Sequence, residues 1–335
     1  MKQVLAFLLC CAPALAAIDG VVINRTTGQP QAGATVALFK LGQNGPEQID
    51  QAKSDAQGKF SIAQSPAGPM PHLLRTAFEG VTYNNMLPPG SPTTGLTLDV
   101  YNSSKQPGSA KVGKHMIFFQ PAGSEMSVNE AYIFVNDGKT AWNDLENGTL
   151  KFYLPLTTKG NVQVNVTAPG GMPIPAAAEK TSRPDVFMVP TAIKPGETRI
   201  DLAYTVPYKD GETYEGRVLT KDDTTYLVIP KGVTMTGANL TDMSTEPRTQ
   251  AHVYVLTGAA YKVDLSGAPL TASSSADAGQ ESSGPPFEPM MPRVFGKAKW
   301  ILALTLGILA IGFTLLYRAP APETAAKEPN ARGRR

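Results

Sequence analysis

Three histidines come first, because acid–base catalysis and hydrolytic zinc sites are most often built around imidazole. They stand in His72-Leu-Leu-Arg75, His115-Met-Ile-Phe118 and His252-Val-Tyr-Val255. None has a carboxylate at zinc-ligand spacing, and each reads as the opening residue of a β-strand. Both cysteines, Cys10 and Cys11, fall within residues 1–17, so the rest of the chain offers no thiolate nucleophile and no sulfur ligand. Asp210-Gly211-Glu212 and Asp222-Asp223 place carboxylates in turns, where such pairs are ordinarily solvated. Glycoside hydrolysis needs two carboxylates at a set separation, and no pair can be assigned that geometry from sequence. No Gly-x-Ser-x-Gly elbow, phosphate loop or dinucleotide fingerprint is present. The sequence therefore assigns no catalytic residue, no metal site and no cofactor.

Aromatic residues carry the remaining candidate chemistry, which is binding. Trp142 sits in the polar segment Thr140-Ala-Trp-Asn-Asp144 and is the only tryptophan before Trp300. Its indole either stacks on a sugar ring or anchors a partner, or folds back to cap the protein's own core. Tyr204, Tyr208 and Tyr214 fall near strand ends and have the same two readings.

These residues are placed by a chain with a clear layout. Residues 1–17, MKQVLAFLLCCAPALAA, have the basic start, short apolar core and small-residue cleavage site of an export signal. Trp300–Tyr317, WILALTLGILAIGFTLLY, lacks charge and has an aromatic residue at each end, as a membrane-spanning helix does. Arg318, Lys327, Arg332, Arg334 and Arg335 make residues 318–335 a short basic tail. The signal sets the expected topology: N-terminus extracytoplasmic, whether periplasmic or at the cell surface, and tail cytoplasmic. The lack of cysteine in the exported part points to a bacterial envelope. Residues 266–299, rich in Ser, Ala, Gly and Pro, read as a disordered spacer.

The formal charge of +2 misleads, because the cations concentrate at the membrane flanks and leave the exported part mildly acidic. Nucleic-acid binding has no electrostatic footprint there. Charged residues are 17% of the chain, below the usual quarter, which suits a β-rich exported protein.

Short β-branched runs separated by Gly, Pro, Asn and Asp recur from Ile18 to Leu265, with no amphipathic helix among them. The expected fold is mostly β: two tandem antiparallel β-sandwich domains at 18–101 and 102–265, then the spacer and the span. The second region reads as one larger sandwich or two small ones. Two connections read clearly: Asn136-Asp137-Gly138 ends a strand, and Lys221-Asp222-Asp223-Thr224 joins a hairpin.

Gly20-Val21-Val22, Thr27-Gly28-Gln29-Pro30, Gly33-Ala34-Thr35-Val36 and Asp55-Ala56-Gln57-Gly58-Lys59-Phe60 occur in that order. This succession resembles the opening of carboxypeptidase regulatory-like domains, which are transthyretin-like (prealbumin-like) sandwiches. The likeness covers residues 18–101. It implies a β-sandwich with Val36, Leu38 and Phe60 pointing inward, and a kinship to starch-binding-like domains; it implies no activity. The functional expectation is a non-catalytic, single-span envelope protein whose sandwiches bind or scaffold another envelope protein. The alternative is a carbohydrate-binding module, with a glycan as partner.

Overall fold

The computed structural model describes residues 18–42, 45–64, 70–220 and 224–270. The expected signal, span and tail, nearly all of the spacer, and Asp222-Asp223 lie outside these residues. Among the described residues no helix is long and apolar enough to cross a membrane; the one helical element is a three-residue 3-10 turn, Leu156–Thr158. Everything else regular is strand.

The first region contains β1 (Ile18–Asn24), β2 (Gln29–Pro30), β3 (Thr35–Gly42), β4 (Gly45–Lys53), β5 (Lys59–Ile62), β6 (His72–Phe78), β7 (Val81–Leu87) and β8 (Leu96–Val100). One sheet joins β2, β1 and β5, with β8 added parallel to β1; the other runs β4-β3-β6-β7. Ile18, Val22, Phe60, Ile62, Leu98 and Val100 of the first sheet meet Val36, Leu38 and Leu74 of the second in one core. Alternation at period two brings Val36, Leu38 and Phe60 inward, as expected. The turn before β5 is specified by its own side chains. Asp55 Oδ1 accepts from the backbone N–H of Gln57 at 2.9 Å and of Lys59 at 2.8 Å. Gly58 has φ of 72°, and a Cβ there would stand 2.7 Å from the carbonyl oxygen of Val22, so only glycine fits.

The second region begins with β9 (Ser103–Ser104), followed by β10 (Ala110–Ala122), β11 (Glu125–Asn136), β12 (Ala141–Trp142), β13 (Leu150–Tyr153), β14 (Gln163–Thr167), β15 (Ile174–Ala176) and β16 (Glu179–Lys180). Then come β17 (Val186–Val189), β18 (Gly196–Pro207), β19 (Thr213–Arg217), β20 (Thr224–Ile229), β21 (Val233–Gly237), β22 (Leu240–Thr245), β23 (His252–Leu256) and β24 (Ala260–Gly267). Its centre is the long β10–β11 hairpin. Gly123, with φ of 64°, supplies the positive φ that a two-residue hairpin loop requires. An eight-stranded sheet runs β15-β14-β18-β11-β10-β20-β23-β22, and the three-stranded sheets β13-β17-β16 and β19-β24-β21 cover one of its faces. The core between these layers is contiguous from Ala110 to Leu265, so the second region has one core rather than two. Phe119 and Phe152 are wholly buried in it; truncating such a side chain to Ala typically costs about 3–5 kcal/mol.

Several expectations need correction. β19 and β20 do not form a hairpin across Lys221–Thr224: β19 pairs with β24, and β20 pairs with β10 and β23. β19 and β20 therefore belong to different layers. The sheets are mostly antiparallel, but β1–β8, β9–β12 and β10–β20 are parallel. His72 and His252 open their strands, whereas His115 lies inside β10. β24 runs to Gly267, past the expected start of the spacer at residue 266, and Leu270 N–H still donates to Lys231 O at 2.8 Å.

Candidate functional site

The strand register assembles a polar cluster inside the second core. His115 and Tyr132 are cross-strand partners, and their rings stack with centroids 3.9 Å apart. Glu130, two residues along the same face, is 5% exposed. His115 Nε2 lies 2.9 Å from Glu130 Oε2, and Tyr132 Oη donates to that oxygen at 2.8 Å. Tyr204 Oη donates to Glu130 Oε1 at 2.7 Å, and the Tyr204 and Tyr214 hydroxyls are 3.1 Å apart. Tyr261 follows, its ring 6.2 Å from that of Tyr214. Burial first, then the negative charge of Glu130, pushes the Tyr204 hydroxyl well above the usual phenol range. Burial likewise raises Tyr214 and Tyr261. A His–carboxylate pair is the raw material of acid–base catalysis, but this one is sealed in the core, where it satisfies buried polar groups.

Two of the aromatic candidates, Tyr204 and Tyr214, thus lie in this interior network. Tyr208 is partly buried, and its hydroxyl donates to Leu265 O at 3.0 Å. Trp142 sits at the seam between the two regions. Its ring is 6.4 Å from that of Phe134, and its Nε1–H donates to Lys105 O at 3.2 Å. The Trp142 backbone exchanges hydrogen bonds with Ile193, N–H to O at 2.9 Å and O to N–H at 2.8 Å. Around it the regions are laced by polar contacts: Asn24 Nδ2 to Asn102 Oδ1 at 2.6 Å, Ser103 N–H to Glu79 Oε2 at 2.6 Å, and Thr26 Oγ1 to Lys139 O.

The open surface feature is on the other face of the eight-stranded sheet. Register sets Met116 beside Tyr226 and Phe118 beside Val228, and Val228 beside Val253. All five side chains point away from the core, and together they floor a groove of about 640 Å³. One wall is the loop Glu246–Ala251. The Glu246 carboxylate holds that loop, accepting from Thr249 N–H and Oγ1–H at 2.5 Å each and from Arg248 N–H at 3.1 Å. These bonds, the Thr249 hydroxyl first, keep Glu246 below the usual carboxylate range. Lys114 closes the rim, its Nζ 6.0 Å from the centre of the Tyr226 ring.

No family model matches the chain, and a search of curated proteins finds no relative. The functional reading consequently rests on the sequence and the geometry. Among the described residues no group of three or more His, Cys, Asp and Glu side chains could hold a metal ion. Sequence reading missed both Glu130 and the groove floor. For Glu130 the signal was the pairing of β10 with β11 about Gly123-Ser124; the groove floor is set by the long-range pairings of β20 with β10 and β23, for which the sequence carries no local signal.

Proposed function

We propose that this chain is a non-catalytic, membrane-anchored envelope protein, and that its two tandem β-sandwich domains, the first of carboxypeptidase regulatory-like type, bind or scaffold another protein. The observation that carries the reading is the groove floored by Met116, Phe118, Tyr226, Val228 and Val253. A contiguous apolar floor of this kind on a water-facing sheet is what a protein contact uses. Its pleat spaces the side chains for an extended polypeptide with apolar residues at alternate positions. The rim carries one cation, Lys114, and one anion, Glu246, which favours a polypeptide of mixed charge over a polyanion. The export signal and span read from the sequence would present this face outside the cytoplasm.

The test is peptide selection from a random display library on the full-length protein, followed by titration of the selected peptides. Removing a central aromatic anchor typically costs about 2 kcal/mol, or about thirtyfold in affinity. Phe118→Ser and Val228→Asp should each weaken binding by that order. Phe118 is only partly buried and lies outside the core, so its variant should keep the melting profile; Val228 is 9% exposed, so Val228→Asp is titrated only as protein whose melting curve shows it folded. Peptides that bind both variants as well as the parent would overturn the reading.

A further inference from the structure

A second concavity, of about 550 Å³, lies between the two regions, walled by β6–β8 on one side and by residues 168–174 and Lys194-Pro195 on the other. Lys194 is delivered into it by its neighbour. Ile193 is wholly buried and doubly hydrogen-bonded to the Trp142 backbone, and Asn136 Nδ2 donates to Ile193 O at 3.2 Å. Pro195 then restricts the chain on the other side. The ammonium lies 5.1 Å from the centre of the Tyr83 ring. That ring is fixed: Tyr83 Oη donates to Tyr101 O at 3.1 Å and accepts from Tyr101 N–H at 3.2 Å.

Lys194 has no hydrogen-bond acceptor and no ion-pair partner among the described residues. The cleft contains one carboxylate, Asp99, and it is already matched: Arg25 Nε stands 2.8 Å from its Oδ1. Arg75, the other cation of the lining, has among the described residues Asn84 Oδ1 at 3.4 Å and the Phe39 ring at 4.5 Å. Apolar surface completes the walls, including Met172 and Ile174, which are 61% and 49% exposed. A shielded ammonium without a counter-charge is costly, and burial lowers Lys194 to about 8.

We propose that this cleft binds an organic anion, a carboxylate carried on an apolar body, with Lys194 as its counter-ion. The carboxylate supplies the missing charge, and the apolar body covers Met172 and Ile174. The site is independent of the sheet-face groove and shares no residue with it.

Isothermal titration of the full-length protein with hexanoate tests this, with hexanol as the uncharged control. Hexanoate should bind and hexanol should not. Binding needs the ammonium, so hexanoate affinity should fall about tenfold between pH 7 and pH 9, following the loss of the proton from the free protein. Lys194→Met should lose at least tenfold, and Lys194→Arg should keep most of the binding. An acetylated tripeptide ending in a leucine carboxylate, run beside hexanoate, tells a polypeptide C-terminus from a free acid; tighter binding of either one names the source. Equal binding of hexanoate and hexanol, hexanoate binding that ignores pH, or an undiminished Lys194→Met variant would each overturn the proposal. Lys194→Met replaces a shielded charge by an apolar chain, so its melting curve verifies that lost binding is not lost fold.

Discussion

Glu130→Ala is the perturbation with the largest consequence for the fold. The carboxylate accepts from Tyr132 at 2.8 Å and Tyr204 at 2.7 Å, and His115 lies 2.9 Å from it. All four residues are buried, so water cannot replace the lost acceptor. A buried hydrogen bond lost with one partner left in place costs about 1–3 kcal/mol, and Glu130 is the acceptor for two buried hydroxyls, those of Tyr132 and Tyr204. The expected loss for Glu130→Ala is therefore about 2–6 kcal/mol, or roughly 4–24 °C in melting temperature for a unit of this size. Glu130→Gln keeps the shape and one carbonyl acceptor, so about 1–2 kcal/mol is expected from the bond it forfeits. Urea and thermal unfolding, followed by near-ultraviolet circular dichroism of the core tyrosines, measure both. In a double-mutant cycle with Tyr204→Phe the two changes should couple by about 0.5–3 kcal/mol. A Glu130→Ala protein within about 1 kcal/mol of the parent, or a Gln variant worse than Ala, would refute the argument that the carboxylate satisfies this core.

The same core predicts an alkaline limit. Burial raises Tyr204, Tyr214 and Tyr261 above the unfolded phenol value, so the folded state holds protons that the unfolded state gives up. Stability is then complete below about pH 10 and falls above it, by about 1.4 kcal/mol per pH unit for each such tyrosine. Tyrosinate absorbance at 295 nm should rise in one step together with loss of circular dichroism; a smooth titration with the fold intact would contradict it. Trp142→Ala removes the indole packed on Phe134 together with the hydrogen bond to Lys105. It should cost about 3 kcal/mol and leave peptide binding at the sheet-face groove unchanged, as paired melting and titration would show; a stable variant that has lost a glycan ligand would instead assign the indole to sugar stacking.

Short apolar and β-branched runs between turn residues made most strands readable: His72–Phe78, Val186–Val189 and His252–Leu256 stand where such runs fall. β4 carried no such signal. Its sequence GPEQIDQAK exposes side chains on both faces, because an edge strand lying outside the core has no buried side to impose a period. β24 did alternate, with Tyr261, Val263 and Leu265 inward, but the polar Ser-Ala-Gly stretch that follows obscured it. The false hairpin at Lys221–Thr224 has a physical cause as well. Local turn chemistry says that the chain reverses, not which strand it will pair with, and β20 finds its partners in β10 and β23. Glu130 was invisible for a related reason. In a linear string it is one carboxylate among many, and only the register about Gly123-Ser124, with β18 added beside β11, brings His115, Tyr132 and Tyr204 to it.

Site-specific photo-crosslinking in cells making the full-length chain tests the binding role most directly. A photoreactive residue is placed at Phe118, at Val228, and, as a control on the same sheet face, at Arg199 in β18. One discrete protein adduct is expected at positions 118 and 228, absent at 199 and abolished when Met116→Asp is introduced alongside. No adduct at either groove position, or the same adducts at all three, would contradict it.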